Sequence, residues 1–176
     1  VMANVEHNVS LISGIHDLLP NRTGGVVMQK NLESLGDIIY TEEEIEFAMQ
    51  MQKENGKPTL GIDGKIRPLR ETLESPGGGS TDVGDVSYNV PVVSLAATTA
   101  PKGVPWHSWS VVASSGMSIG HKGMLHATKA LGMTMIDIFK DKNLRDEIKK
   151  EFDEKIGNYK YDPFLDPGPP PIDYVD

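Results

Sequence analysis

No cysteine occurs anywhere in the 176 residues, so disulfides and thiolate metal sites are excluded, while compartment is left open on that ground. A surplus of positive charge is missing too. Seventeen basic residues stand against 25 acidic ones, for a formal charge of −8. Phosphate recognition needs a positive surface, so this balance argues against a nucleic-acid partner. The basic residues are scattered beside acidic ones, and no polybasic stretch offers itself to a membrane surface. No apolar run approaches the ~20 residues of a spanning helix. No secretory signal leads the polar opening Val1-Met2-Ala3-Asn4, and a cytoplasmic location is the expectation. That opening also lacks an initiator methionine, as an excised piece of a longer protein or a processed terminus would. Internal repeats are absent.

What is present has ordinary globular composition, 38% hydrophobic and 24% charged, and is long enough for one domain with its own core. Val5 to Ile15 reads as a strand, with His7, Val9 and Leu11 on one face at period two. Beyond Pro20 a helix is expected from about Asn21 to Leu35, its stripe carried by Val27 or Met28, Leu32 and Leu35, with Gly36 as the stop. The next helix is marked by its ends. Thr41 and Glu44 make a capping box, Glu42 and Glu43 suit the positive end of the dipole, and Gly56 closes it. Lys57 to Ser75 is punctuated by Pro and Gly and reads as loop, with room for a short helix at Leu69–Leu73. Val90 to Ala97 is a nearly unbroken apolar run that suits a central strand covered on both faces, with Pro91 at its start. Ile119 to Lys140 reads as a long helix with Leu125, Thr128, Leu131 or Gly132, Met135 and Phe139 on its buried side. Asp141 or Asn143 caps a last helix, which carries Leu144, Ile148 and Phe152 and ends at Gly157. The tail contains Pro167-Gly168-Pro169-Pro170-Pro171, of polyproline character. Together these elements predict an α/β fold, a layered sheet with packed helices.

Three histidines cluster in the second half. His107 sits in the turn-rich Gly103-Val104-Pro105-Trp106-His107-Ser108-Trp109, beyond the expected strand, where α/β enzymes place ligands and bases. A surface histidine packed between two indoles is the equal alternative. His121 and His126 are five residues apart, whereas one helix face holds a metal at i and i+4. His126 therefore reads as a half-buried histidine with a hydrogen-bond partner, and His121 as a cap or a site residue. The run Gly77-Gly78-Gly79-Ser80-Thr81-Asp82 can aim backbone N–H groups at an anion, but no lysine follows at phosphate-loop spacing. Asp82 and Asp85 could pair, although such carboxylates more often cap turns. A serine hydrolase built on Ser108 with His107 and Asp82 lacks a nucleophile-elbow pattern. No complete catalytic constellation can be assembled from these residues.

Taken in order, Gly78-Gly79-Ser80-Thr81-Asp82-Val83-Gly84-Asp85-Val86-Ser87, an apolar run, Pro105-Trp106-His107-Ser108-Trp109 and His121-Lys122-Gly123-Met124-Leu125-His126-Ala127 resemble a dinuclear-metal amidohydrolase family. This is the family of aminoacylases, glutamate carboxypeptidases and indole-acetyl amino acid hydrolases. Within it the p-aminobenzoyl-glutamate hydrolase branch is the most similar. Ser13-Gly14-Ile15-His16-Asp17-Leu18-Leu19-Pro20-Asn21 resembles the return from that family's lid domain to its catalytic domain. The resemblance implies that residues 1–19 end a lid or dimerisation domain, 20–162 are the C-terminal portion of the catalytic domain, and 163–176 are a Pro-rich tail. It implies two zinc ions in the parent protein, with His107 as the one metal ligand present here. It further implies a substrate pocket lined by Gly78, Gly79, Ser80, Thr81 and Asp82, with His126 on the helix behind. The family's other ligands and its glutamate base precede the lid domain and have no counterpart in this chain. The chain alone is thus expected to be inactive and to hold no metal firmly. The expected substrate is a small amide, an N-acyl or aminobenzoyl amino acid. The expected partner is a second copy or the missing N-terminal part of the same protein. A non-enzymatic α/β interaction or regulatory domain derived from such an enzyme is the alternative.

Overall fold

The computed structural model describes residues 6, 7, 9, 11, 13–70, 79–165 and 167–169. Among the described residues six helices follow one another: α1 (Arg22–Leu35), α2 (Glu42–Glu54), α3 (Val83–Ser87), α4 (Trp109–Ser115), α5 (Ser118–Lys140) and α6 (Lys142–Ile156). Helices α1, α5 and α6 pack on one another, and α4 packs on α5. The core is small, with Met28 and Leu32 of α1 meeting Ala130 of α5 under Leu35, Ile66, Val93 and Leu95.

Local chemistry explains where α1, α2 and α6 begin. Asn21 caps α1 by accepting the Gly24 N–H, while its own amide donates to the Ile148 carbonyl of α6. Thr41 and Glu44 form the full capping box on α2. Asp141 Oδ1 accepts the N–H groups of Asn143 and Leu144 to open α6. Each cap satisfies N–H groups that a helix start leaves without partners.

No strand forms among the described residues, so the layered α/β sheet is corrected to a helical fold. The Val90–Ala97 run is extended, but its one ladder contact is an isolated parallel bridge between Val92 and Pro20. A strand needs a continuous hydrogen-bonded neighbour, and side chains have taken the polar groups at this segment's far end. Tyr40 donates to the Thr98 carbonyl, and Thr98 donates to the Asp63 carbonyl. The segment keeps period-two burial without a sheet, with Val93 and Leu95 half-buried and Ser94 and Ala96 exposed. It lies instead on α5, where a Cβ at Gly123 would come 2.2 Å from the Thr98 carbonyl oxygen. The strand expected over Val5–Ile15 is likewise absent at residues 6, 7, 9, 11 and 13–15, where Val9 and Leu11 are exposed. Residues 5, 8, 10 and 12 lie outside the described residues, as do 71–73 of the short helix expected at Leu69–Leu73.

Helix α5 turns the opposite way from the expectation. Its buried positions are Ile119, Gly120, Gly123, Ala130 and Thr134, while Leu125, Leu131, Met135 and Phe139 are exposed. Close approach by α1 and the 92–99 segment selects the small-residue face. No helix among the described residues is long and apolar enough to cross a membrane.

Candidate functional site

Residues Gly79 to Asp82 are exposed and lead directly into α3, a helix the glycine-rich composition concealed. Gly78 lies outside the described residues. The helix is docked by the segment 14–19. The Gly84 Cα runs so close that a Cβ there would lie 2.0 Å from the His16 carbonyl oxygen. Ser87, fully buried, accepts the Leu19 N–H at 2.9 Å.

At the centre of this clasp is His16, only 9% exposed. Its backbone N–H donates to Asp85 Oδ1 at 3.0 Å, and its ring Nδ1 lies 2.7 Å from the same oxygen. Nε2 meets the Tyr159 hydroxyl at 2.7 Å. An ionised Asp85 places the ring proton on Nδ1, so the neutral ring accepts from Tyr159. Phe164 stacks on the imidazole at 4.3 Å, and Tyr88 and Tyr161 lean against it. The His16 backbone N–H, and then its ring, hold the Asp85 carboxyl below the usual carboxylate range. The possible Asp82–Asp85 pair therefore does not form as a catalytic unit, because Asp85 is committed to His16. Sequence reasoning gave His16 no role, since its partners lie 69 and 143 residues away.

The His107 loop is anchored from behind by α2. Gln52, fully buried, donates to the carbonyls of Gly61 and Lys102, each at 2.8 Å. Asn55 donates to the hydroxyl of Ser110, which is also fully buried. Beyond these anchors the loop projects. Trp106, His107 and Trp109 are all exposed. His107 has φ +60°, the one non-glycine residue with positive φ among those described. The indoles do not enclose it. A non-glycine residue on a left-handed backbone carries a conformational cost, which marks His107 as a candidate functional position.

A groove of about 900 Å³ is lined by Trp106 and His126 but by neither His107 nor residues 79–82. Its floor includes Met28, Leu32, Leu95 and Val104. Among the described residues the lining carries Arg22, Lys65, Arg67, Arg70, Lys102 and Lys155 with the carboxylate Asp63. His126 is half-buried at its edge, and His121 is exposed on the first turn of α5. Among the described residues no three His, Asp or Glu side chains converge where a metal could sit. His107 is thus joined by no second and third donor among the described residues.

The chain is 32% identical over 167 residues to a p-aminobenzoyl-glutamate hydrolase subunit of Escherichia coli (strain K12), covering 81% of this chain and 35% of that protein. This chain is a relative of that hydrolase. It spans about a third of the length of the relative it matches. No protein-family model matches the chain, and no solved structure matches it.

Proposed function

We propose that the chain is one portion of an amidohydrolase that cleaves the amide bond of an N-acyl or aminobenzoyl amino acid. The similarity to the p-aminobenzoyl-glutamate hydrolase polypeptide over 81% of the chain carries this reading. In it His107 supplies one ligand of a two-zinc centre whose other ligands come from polypeptide outside these residues. Bound zinc would supply the Lewis-acid chemistry of amide hydrolysis. The contribution of this chain is positional. Gln52 and Asn55 fix the base of the loop that presents His107. The His16–Asp85 clasp fixes α3, and with it the exposed Gly79–Asp82 approach proposed as pocket wall.

The groove bordered by Trp106 favours a substrate with carboxylates, because among the described residues its lining is mainly cationic, with six Lys and Arg side chains beside Asp63, in a protein whose net charge is −8. The test is hydrolysis of p-aminobenzoyl-glutamate and of neutral N-acyl amino acids by the complete polypeptide. We expect release of the free amino acid, faster for the acidic substrate, with His107→Ala lowering turnover by more than a hundredfold and reducing bound zinc. A complete polypeptide that hydrolyses neither substrate sinks the proposal in favour of a non-enzymatic interaction module.

A further inference from the structure

Helix α5 is apolar on two opposite faces, and among the described residues only one of them is covered. Ile119, Gly123 and Ala130 turn inward. Opposite them Met124, Leu125, Leu131, Met135, Ile136 and Phe139 are 42% to 75% exposed. At 3.6 residues per turn these six fall within an arc of about 140° along some 22 Å of helix. A helix that meets solvent keeps polar residues on its outer face, whereas one that is apolar all round is normally buried on both sides. Single exposed apolar residues are commonplace, but a stripe of six large ones, broken only by the exposed Thr128 in its middle, marks an interaction surface.

We propose that this stripe is covered by apolar side chains from the part of the same polypeptide that lies outside these 176 residues, with acidic groups along one edge. This rests on the reading of the chain as one portion of a longer amidohydrolase. The relative extends far beyond the match, which takes in only 35% of it, so there is ample polypeptide to supply a covering layer. Charge argues for that occupant over a second copy. Lys129 and Lys140 flank the stripe on one side and are exposed. Two copies of α5 packed antiparallel would set lysine edge against lysine edge, and like charges across an interface are unfavourable. An acid-edged partner satisfies both the stripe and its border.

Met124 and Met135 are built-in probes, and the buried Met28 and Met51 are internal controls. The experiment compares methionine oxidation by dilute peroxide in the 176-residue chain and in the full translated polypeptide, with scattering to record the mass of each. We expect Met124 and Met135 to oxidise freely in the monomeric chain and at least tenfold more slowly in the full polypeptide, with Met28 and Met51 slow in both. Equal rates in the two would overturn the proposal. So would concentration-dependent protection in the chain alone, which would name a second copy as the cover, or a reading frame that encodes nothing beyond these residues. The readout needs no substrate. An inactive full polypeptide that protects both methionines retains this interface and sinks the amidohydrolase reading, whereas an active one that leaves them oxidisable does the reverse.

Discussion

His16 and His107 show how differently one residue type can be held. The first is enclosed by aromatic rings and hydrogen-bonded at both ring nitrogens. Replacing it with Ala removes two side-chain hydrogen bonds and leaves a void among Tyr88, Tyr161 and Phe164. A loss of about 2–4 kcal/mol in urea unfolding is expected. The clasp should also weaken in acid. Asp85 has a folded-state pKa below its ordinary value, so its contribution is fully present above the usual carboxylate range and is lost as pH falls through the lowered value. Asp85→Asn should remove the part of the pH dependence that sets in as pH falls below the usual carboxylate range, and an unchanged slope would assign it elsewhere. His107 has the opposite profile, exposed and on a left-handed backbone. Glycine carries no penalty there. His107→Gly should leave the chain as stable or more stable by up to about 1 kcal/mol, while activity of the complete protein is lost. A destabilisation of more than 1 kcal/mol in the chain would make His107 a packing residue.

At the scale of elements, the helix ends carry much of the specificity. Glu151 of α6 accepts the N–H groups of Arg22 and Thr23 at the first turn of α1, and so caps a neighbouring helix rather than its own. Burial pushes its pKa up, but the donors from Lys155, Thr23 and Arg22 together outweigh this and hold it down to about 2. Its contribution is therefore complete above the unfolded value of about 4.3 and disappears as pH approaches 2. Glu151→Gln should cost about 1–3 kcal/mol at neutral pH and little at pH 2, as followed by circular dichroism. Thr41→Ala should cost about 1 kcal/mol through the lost box on α2. These ends are legible in the sequence because a cap is a local event. Asn21, Thr41 and Asp141 each lie within three residues of the N–H groups they accept. The Val90–Ala97 run misleads because its composition suits a strand, while strand pairing depends on residues far away that do not supply a ladder. The face of α5 misleads because both faces are apolar, and periodicity of large residues cannot tell which one the neighbours approach. In the site, the exposure of His107 and of the 79–82 approach follows from turn-rich sequence. The His16–Asp85–Tyr159 contact does not, since it joins three distant segments.

Among the described residues the molecule is a set of helices around a small core, with α1, α2 and α6 opened by side-chain caps and with a long apolar face and a basic groove left open. That architecture can hold a loop and present a histidine, but it brings no second or third metal ligand to that histidine among the described residues. Tight zinc binding requires three or four convergent donors in tetrahedral array, and one exposed imidazole supplies one bond with no chelate advantage. The 176-residue chain should therefore retain much less than one zinc per molecule after gel filtration, whereas the complete polypeptide should retain about two. The same count governs catalysis. Without a metal-bound water and a base positioned against an amide carbonyl, the chain should not raise hydrolysis of p-aminobenzoyl-glutamate above the buffer rate with zinc, manganese or cobalt supplied. Elemental analysis and amino-acid release, measured on one preparation of each form, check both statements. Turnover by the short chain that survives repeated purification and disappears with His107→Ala would show that the donors are already within these residues, the stretch 71–78 included. Turnover that survives His107→Ala would remove the histidine from the centre altogether.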